Sequence, residues 1–139
     1  MSHDWEGIIG GAVDKALRTA GMMLQGDAMR NVKTQHLVDT GRLIASVSFA
    51  TDKVAATIGA LAKEGDGVST PETVYTLHVG TNVPYAQIHE FGGTIKSSSG
   101  KVRTIRARPY LRPAFEAVKG RLPYMFQQEC KKALKEKLQ

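Results

Sequence analysis

The sequence predicts an α+β fold: a long N-terminal helix, an antiparallel sheet with a short inserted helix and a hairpin, and C-terminal helices. Three observations carry this. Apolar residues recur at three- and four-residue steps over 5–32. Short alternating runs separated by turn formers follow to about residue 107, and helical spacing returns from Leu111. The order helix, strands, short helix, hairpin, helix is that of an α+β domain.

In the first helix, Ile9, Val13, Leu17, Ala20, Leu24, Ala28 and Val32 form the expected buried stripe. Asp4 stands at an N-cap position, with Gly7 where a capping box would have Glu. Gly10, Gly11, Gly21 and Gly26 each weaken the helix by about 1 kcal/mol relative to Ala. Close approach to a neighbouring element would offset that cost; a break near Gly21 is the alternative.

Asp39-Thr40-Gly41 punctuates the chain, and Thr40 to Ser46 reads as a short capped helix. Val47 to Thr51 and Val54 to Ile58 read as strands around an Asp52-Lys53 turn. Ala62 to Pro71 is polar and glycine-rich, an exposed loop. Val74 to Val79 alternates as another strand, ending at Gly80. Pro84 suits the first position of a short helix, Tyr85 to Phe91, stopped by Gly92-Gly93. Thr94 to Lys96 and Val102 to Ala107 form a hairpin around Ser97 to Gly100. Leu111, Phe115, Val118 and Leu122 mark a helix with Pro109 and Pro113 near its first turn. Gly120 and Pro123 separate it from a last helical segment through Phe126, Cys130, Leu134 and Leu138, with Lys131, Lys132, Lys135 and Lys137 near its end.

The 139 residues predict one domain, 1–139, with 123–139 as a helical C-terminal extension, and exclude a two-domain enzyme. The core is modest, so oligomerisation fits. One cysteine, Cys130, excludes an intrachain disulfide framework, and helical spacing places it in a core or interface as a small hydrophobe. The opening MSHDWEGIIGGAVDK has no basic region before an apolar run, so no signal peptide is expected, and no stretch has the length of a membrane span.

Chemistry has little support. His89-Glu90 lacks a second histidine one turn away, and His78 with His89 has no third ligand to complete a metal site. Gly10-Gly11, Gly65-x-Gly67 and Gly92-Gly93 lack the companions of a phosphate cradle. No carboxylate pair is implied for acid–base work. No cofactor and no catalytic residue are expected. The net charge of +6 points to an anionic neighbour. Lys96, Lys101, Arg103, Arg106, Arg108 and Arg112 fall in one stretch without an acid, a strip suited to phosphates or to an acidic subunit. Alternation places Lys101 and Arg103 on one face. Aromatic residues are sparse at 6%, against single-strand stacking.

Two further stretches look architectural. Val79 to Gly93 packs turn formers between apolar anchors, with Tyr85, Ile88 and Phe91 on one side of the short helix; Arg108 to Phe115 sets how the last helices leave the sheet. With Thr40-Gly41-Arg42-Leu43 and Ser46 they carry a resemblance. The chain resembles the tail-completion, or neck, proteins of long-tailed bacteriophages, also catalogued as virion morphogenesis or minor tail components. The matching positions are Thr40, Gly41 and Leu43; Gly80, Pro84, Tyr85, Ala86, Phe91 and Gly92; and Pro109, Leu111, Pro113 and Phe115. Residues from about 5 to 120 are covered, and Tyr124 to Gln139 carries no family motif.

The resemblance implies a non-enzymatic structural virion protein, assembled in the host bacterial cytoplasm, that completes the tail end and helps join it to the head. A homo-oligomeric ring around the DNA path is implied, and sixfold symmetry suits tail tubes. Its partners would be tail tube or terminator proteins and the head-side connector, with no membrane. The basic strip would face genomic DNA or an acidic neighbour, and Tyr85, Phe91 and Phe115 would hold the domain together. Tail terminator, head-side connector and other minor tail or baseplate roles stay open, as, more remotely, do a small basic DNA-binding protein and a small hydrolase using His78 or His89.

Overall fold

The computed structural model describes residues 4–35 and 40–138. Helix α1 (Trp5–Thr34) is the spine. It is followed by α2 (Thr40–Ser46), β1 (Ser48–Thr51), β2 (Leu77–Gly80), α3 (Ala86–Phe91), β3 (Gly93–Lys96), β4 (Val102–Ile105), α4 (Leu111–Lys119) and α5 (Leu122–Leu138). The fold is α+β, with the strands divided between two antiparallel ladders, β1–β2 and β3–β4. Asp39 lies outside the described residues.

Asp4 caps α1, its side chain accepting the Gly7 N–H at 2.9 Å. The helix runs unbroken through Gly21, and its close approach to other elements gives the reason. A Cβ at Gly21 would lie 2.4 Å from the Phe49 ring, and one at Gly10 would lie 2.5 Å from the Tyr75 hydroxyl. Small residues let the β1–β2 ladder lie directly on the helix. The buried positions are Ala12, Ala16, Ala20, Leu24, Ala28 and Val32, so the stripe joins its expected course only from Ala20. Ile9 is exposed and Val13 and Leu17 are half-buried, and α5 packs along α1. α4, β1, β2 and α2 also pack on α1.

The core unites Leu24, Ala28 and Val32 with Leu43, Val47, Val83, Ala86, Tyr110, Ala114 and Val118. Tyr110 is its largest fully buried side chain. The expected strand over 54–58 does not form. Thr51 and Val54 close a tight turn, exchanging both backbone hydrogen bonds, and the chain then follows α2, with the Gly59 N–H bonded to the Ala45 carbonyl at 2.8 Å. β1 pairs with β2, in the register Ser48 with Gly80 through Thr51 with Leu77. The strand expected from Val74 begins only at Leu77, because Tyr75 turns at φ 55° with its hydroxyl against Gly10. Pro84 lies ahead of α3, whose N-cap is Tyr85.

Among the described residues no helix is long and apolar enough to cross a membrane.

Candidate functional site

Two regions bear on function: a buried junction where the three motif blocks meet, and a basic ribbon projecting beside it.

The junction begins at Asp66, a single acid between two glycines in the loop expected to be wholly exposed. Asp66 is instead buried. Arg42 grips it bidentately, Nε to Oδ2 and Nη2 to Oδ1, both at 2.8 Å. The Lys63 N–H donates to Oδ2 at 2.8 Å. The Arg42 hydrogen bonds, then that of Lys63, hold the carboxyl down at about 2. On the other side, the Asp66 carbonyl accepts the Asn82 N–H at 2.7 Å, and Asn82 Nδ2 donates to the Gly65 carbonyl at 3.1 Å. The Arg42 guanidinium also lies 5.9 Å from the Tyr85 ring centre.

A second link is made of hydroxyls. Ser46 Oγ donates to the Leu43 carbonyl at 2.7 Å and meets Thr81 Oγ1 at 2.6 Å, which accepts the Val83 N–H at 3.1 Å. The first block, Gly41-Arg42-Leu43 with Ser46, is thus tied to the second, Gly80 to Ala86, through side chains whose polar atoms are satisfied. Leu43 is fully buried, and a Cβ on Gly41 would lie 3.1 Å from Leu61.

The third block is fixed by Glu90. Its carboxylate accepts three backbone N–H groups: Tyr110 at 2.8 Å and Leu111 at 3.0 Å on Oε2, and Arg112 at 3.0 Å on Oε1. Pro113, next in line, has no N–H to satisfy, so one side chain completes the first turn of α4. The Arg108 N–H bonds the His89 carbonyl at 2.7 Å. Asn31 of α1 donates to the Tyr110 carbonyl at 3.0 Å, and Gln35, the C-cap of α1, donates to the Pro109 carbonyl. Burial raises the Tyr110 hydroxyl, helped by the Glu90 charge.

Gly92 is where this arrangement tolerates no side chain. Its φ is 73°, and a Cβ would lie 2.8 Å from the Ala107 nitrogen and 2.9 Å from the Ile105 carbonyl oxygen.

Two of the expected anchors do not anchor. Phe91 is 70% exposed and Phe115 50% exposed. Phe91 ends the last turn of α3, beyond the reach of the core that Ala86 enters one turn earlier. Phe115 borders an apolar hollow of about 390 Å³ shared with Leu24, Leu77, Val79, Leu111 and Phe126. Tyr110 does the work expected of these rings, and Tyr85 contributes from the core's margin.

The ribbon is the opposite kind of structure. β3 and β4 pair Gly93 with Ile105, Thr94 with Thr104, Ile95 with Arg103 and Lys96 with Val102. All strand positions are exposed except Ile105, which is half-buried. The Ser97 N–H bonds the Lys101 carbonyl at 2.8 Å, extending the register one step and placing Lys101 on the face of Arg103 and Ile95. Lys96, Lys101, Arg103, Arg106, Arg108 and Arg112 are all exposed. Arg106 and Arg108 lie beyond β4, outside the alternation of a strand, and Arg108 reaches the Gln35 carbonyl at 3.4 Å.

Among the described residues no group of three His, Cys, Asp or Glu side chains could hold a metal. His78 bonds the Ser69 carbonyl at 2.9 Å from β2, and His89 meets the Tyr85 ring edge-on in α3. Cys130 is half-buried on α5.

Two functional roles escaped the sequence reading, those of Asp66 and Glu90. A usable signal existed for the second: Glu90 is the lone acid between Glu72 and Glu116.

Residues 6–92 match a protein-family model described as "Bacteriophage HK97-gp10, putative tail-component". The match takes in the Arg42–Asp66–Asn82 linkage and ends at Gly92, before the ribbon and the third block. No curated protein and no solved structure is significantly similar to the chain.

Proposed function

The chain belongs to the HK97-gp10-like family of phage tail components, structural proteins and not enzymes, and from that premise we propose that it acts at the neck, completing the tail end and helping to join it to the head. It does so as a ring of identical subunits around the DNA path, bound to the tail tube or terminator on one side and to the head-side connector on the other.

The observation that carries this reading is the family match over 6–92. It falls on side chains that serve the backbone: Arg42 and Asp66 join two motif blocks, and Glu90 caps a third. A protein whose motif residues fix relative orientation suits a role in assembly. The apolar hollow beside Phe115 provides a surface for subunit contact.

Deletion of the gene from its phage, with complementation and electron microscopy of the lysate, tests the proposal. Filled heads beside separate tails of normal length, rescued by the intact gene, are expected. Overlong tails would reassign the chain to tube termination. Infectious particles of normal form without the gene would overturn the structural role.

A further inference from the structure

The distribution of charge is uneven in a way the fold does not require. Nineteen cations less the six of the 96–112 strip leave thirteen, the same as the number of acidic residues. The strip therefore holds the whole formal surplus of +6, and the rest of the chain is formally neutral. The ion pairs of the described residues keep to the same division. Lys15–Glu129, Arg30–Asp27, Arg42–Asp66, Lys53–Asp14 and Lys119–Glu116 all lie outside the strip. Glu90, the acid nearest in sequence to the ribbon, is buried and occupied by three backbone N–H groups. Lys96, Lys101, Arg103, Arg106 and Arg112 have no ion-pair partner among the described residues.

We infer that the β3–β4 ribbon and its continuation into α4 form a docking surface for the phosphate backbone of duplex DNA. The inference deepens the neck reading, on which it rests for its setting, by naming what the ribbon touches. Outside its own strip a second copy carries no net charge, so it offers the ribbon no excess of acid. From Lys101 to Arg106 an extended chain spans about 17 Å at roughly 3.3 Å per residue. A duplex presents about ten phosphates over that length, enough to meet Lys101 and Arg103 together on the face they share. A folded acidic protein would have to line up its carboxylates along the same path. The double-stranded form is favoured because no aromatic residue stands between Gly92 and Pro109 to stack on unpaired bases. Lys and Arg on exposed strand positions, with only small polar and aliphatic neighbours, position a backbone without reading a sequence.

Fluorescence anisotropy of the purified full chain with a labelled random-sequence duplex tests this. Three to five phosphate contacts give a log–log salt slope of about −3 to −5, so affinity falls on the order of 10²–10³-fold between about 50 and 200 mM salt. Lys101→Gln with Arg103→Gln should make the slope shallower by about 2 and weaken all duplex sequences alike. Lys131→Gln with Lys132→Gln, on exposed positions of α5, should leave the slope unchanged. All the substituted side chains are exposed, so an unchanged thermal midpoint will show that both variants stay folded. No binding at low salt, a slope insensitive to the ribbon variant, or displacement of the duplex by polyglutamate at equal charge would overturn the inference. Such a failure leaves the lysate phenotype intact, whereas failure of the neck reading appears in the lysate and not in the anisotropy.

Discussion

The junction around Asp66 and Glu90 and the ribbon of β3 and β4 lie next to each other in the chain and use charge in opposite ways. In the junction both carboxylates are buried, and each accepts hydrogen bonds from groups that the fold must hold in place. On the ribbon the cations stand in solvent with no ion-pair partner among the described residues. An isolated two-stranded hairpin is marginally stable in water. The ribbon keeps its register because it is rooted in the junction, where Gly92 lets β4's continuation pass at backbone distance and the His89 carbonyl takes the Arg108 N–H. The lesson is a division of labour: fixed charge builds the base, and unfixed charge is left to meet a partner.

The largest effect that would sharpen this contrast is expected from Tyr110→Ala. Emptying a fully buried ring site should lower stability by about 3–5 kcal/mol, measurable by urea unfolding. Phe91→Ala, on a ring expected from sequence to hold the domain together, should cost less than about 1 kcal/mol in the same titration. An equal loss from both would erase the distinction between core and surface.

Next comes Glu90→Ala, which strips three N–H groups of their acceptor and should cost about 2–3 kcal/mol. Gln at the same position keeps one carbonyl oxygen and should recover part of it. If Glu90→Ala were neutral by thermal unfolding, the junction would not depend on this cap. Gly92→Ala should cost about 2 kcal/mol, since it combines an unfavourable φ with a backbone clash.

Asp66 gives a pH signature. Its folded pKa lies below the unfolded carboxylate value near 3.9, so its contribution is present in full above that value and is lost as pH falls through about 2. Asp66→Asn should flatten the acid limb of the stability profile between about pH 4 and pH 2. A profile of unchanged shape would show that the Arg42 pairing adds nothing to folding. The smallest effect belongs to the ribbon: Ile95→Thr or Val102→Thr should change stability by no more than about 0.5 kcal/mol, a bound that chemical denaturation can check.

The order and class of most elements were legible in the sequence because local chemistry specifies them. Asp4 caps α1, Pro113 sits in the first turn of α4, and Gly92-Gly93 stops α3 as the residues suggest. The misses have tertiary causes. Val54 to Ile58 has the β-branched residues of a strand, but β1 pairs with β2, and Gly59 bonds Ala45 of α2 instead. Tyr85, Ile88 and Phe91 share a helical side on paper, yet α3 is so short that Phe91 lies past its buried face. Asp66 and Glu90 act on residues 24 and 20 positions away, beyond any periodicity. The basic strip was visible at once, because exposed charge depends on no partner within the fold.

The bond from Asn31 to the Tyr110 carbonyl joins positions 79 residues apart. It has a consequence for how the protein is made. α1 leaves the ribosome before α4 and α5, which cover much of it. At about 5–20 residues per second, α1 waits roughly 4–16 s before residue 110 follows it out. Through that interval Leu24, Ala28 and Val32 lack the Tyr110, Ala114 and Val118 side chains that complete their core. A nascent chain stalled near Gly92 would carry the whole family-matched segment and yet expose its sticky spine, making it a substrate for chaperones and proteases before it could join any assembly.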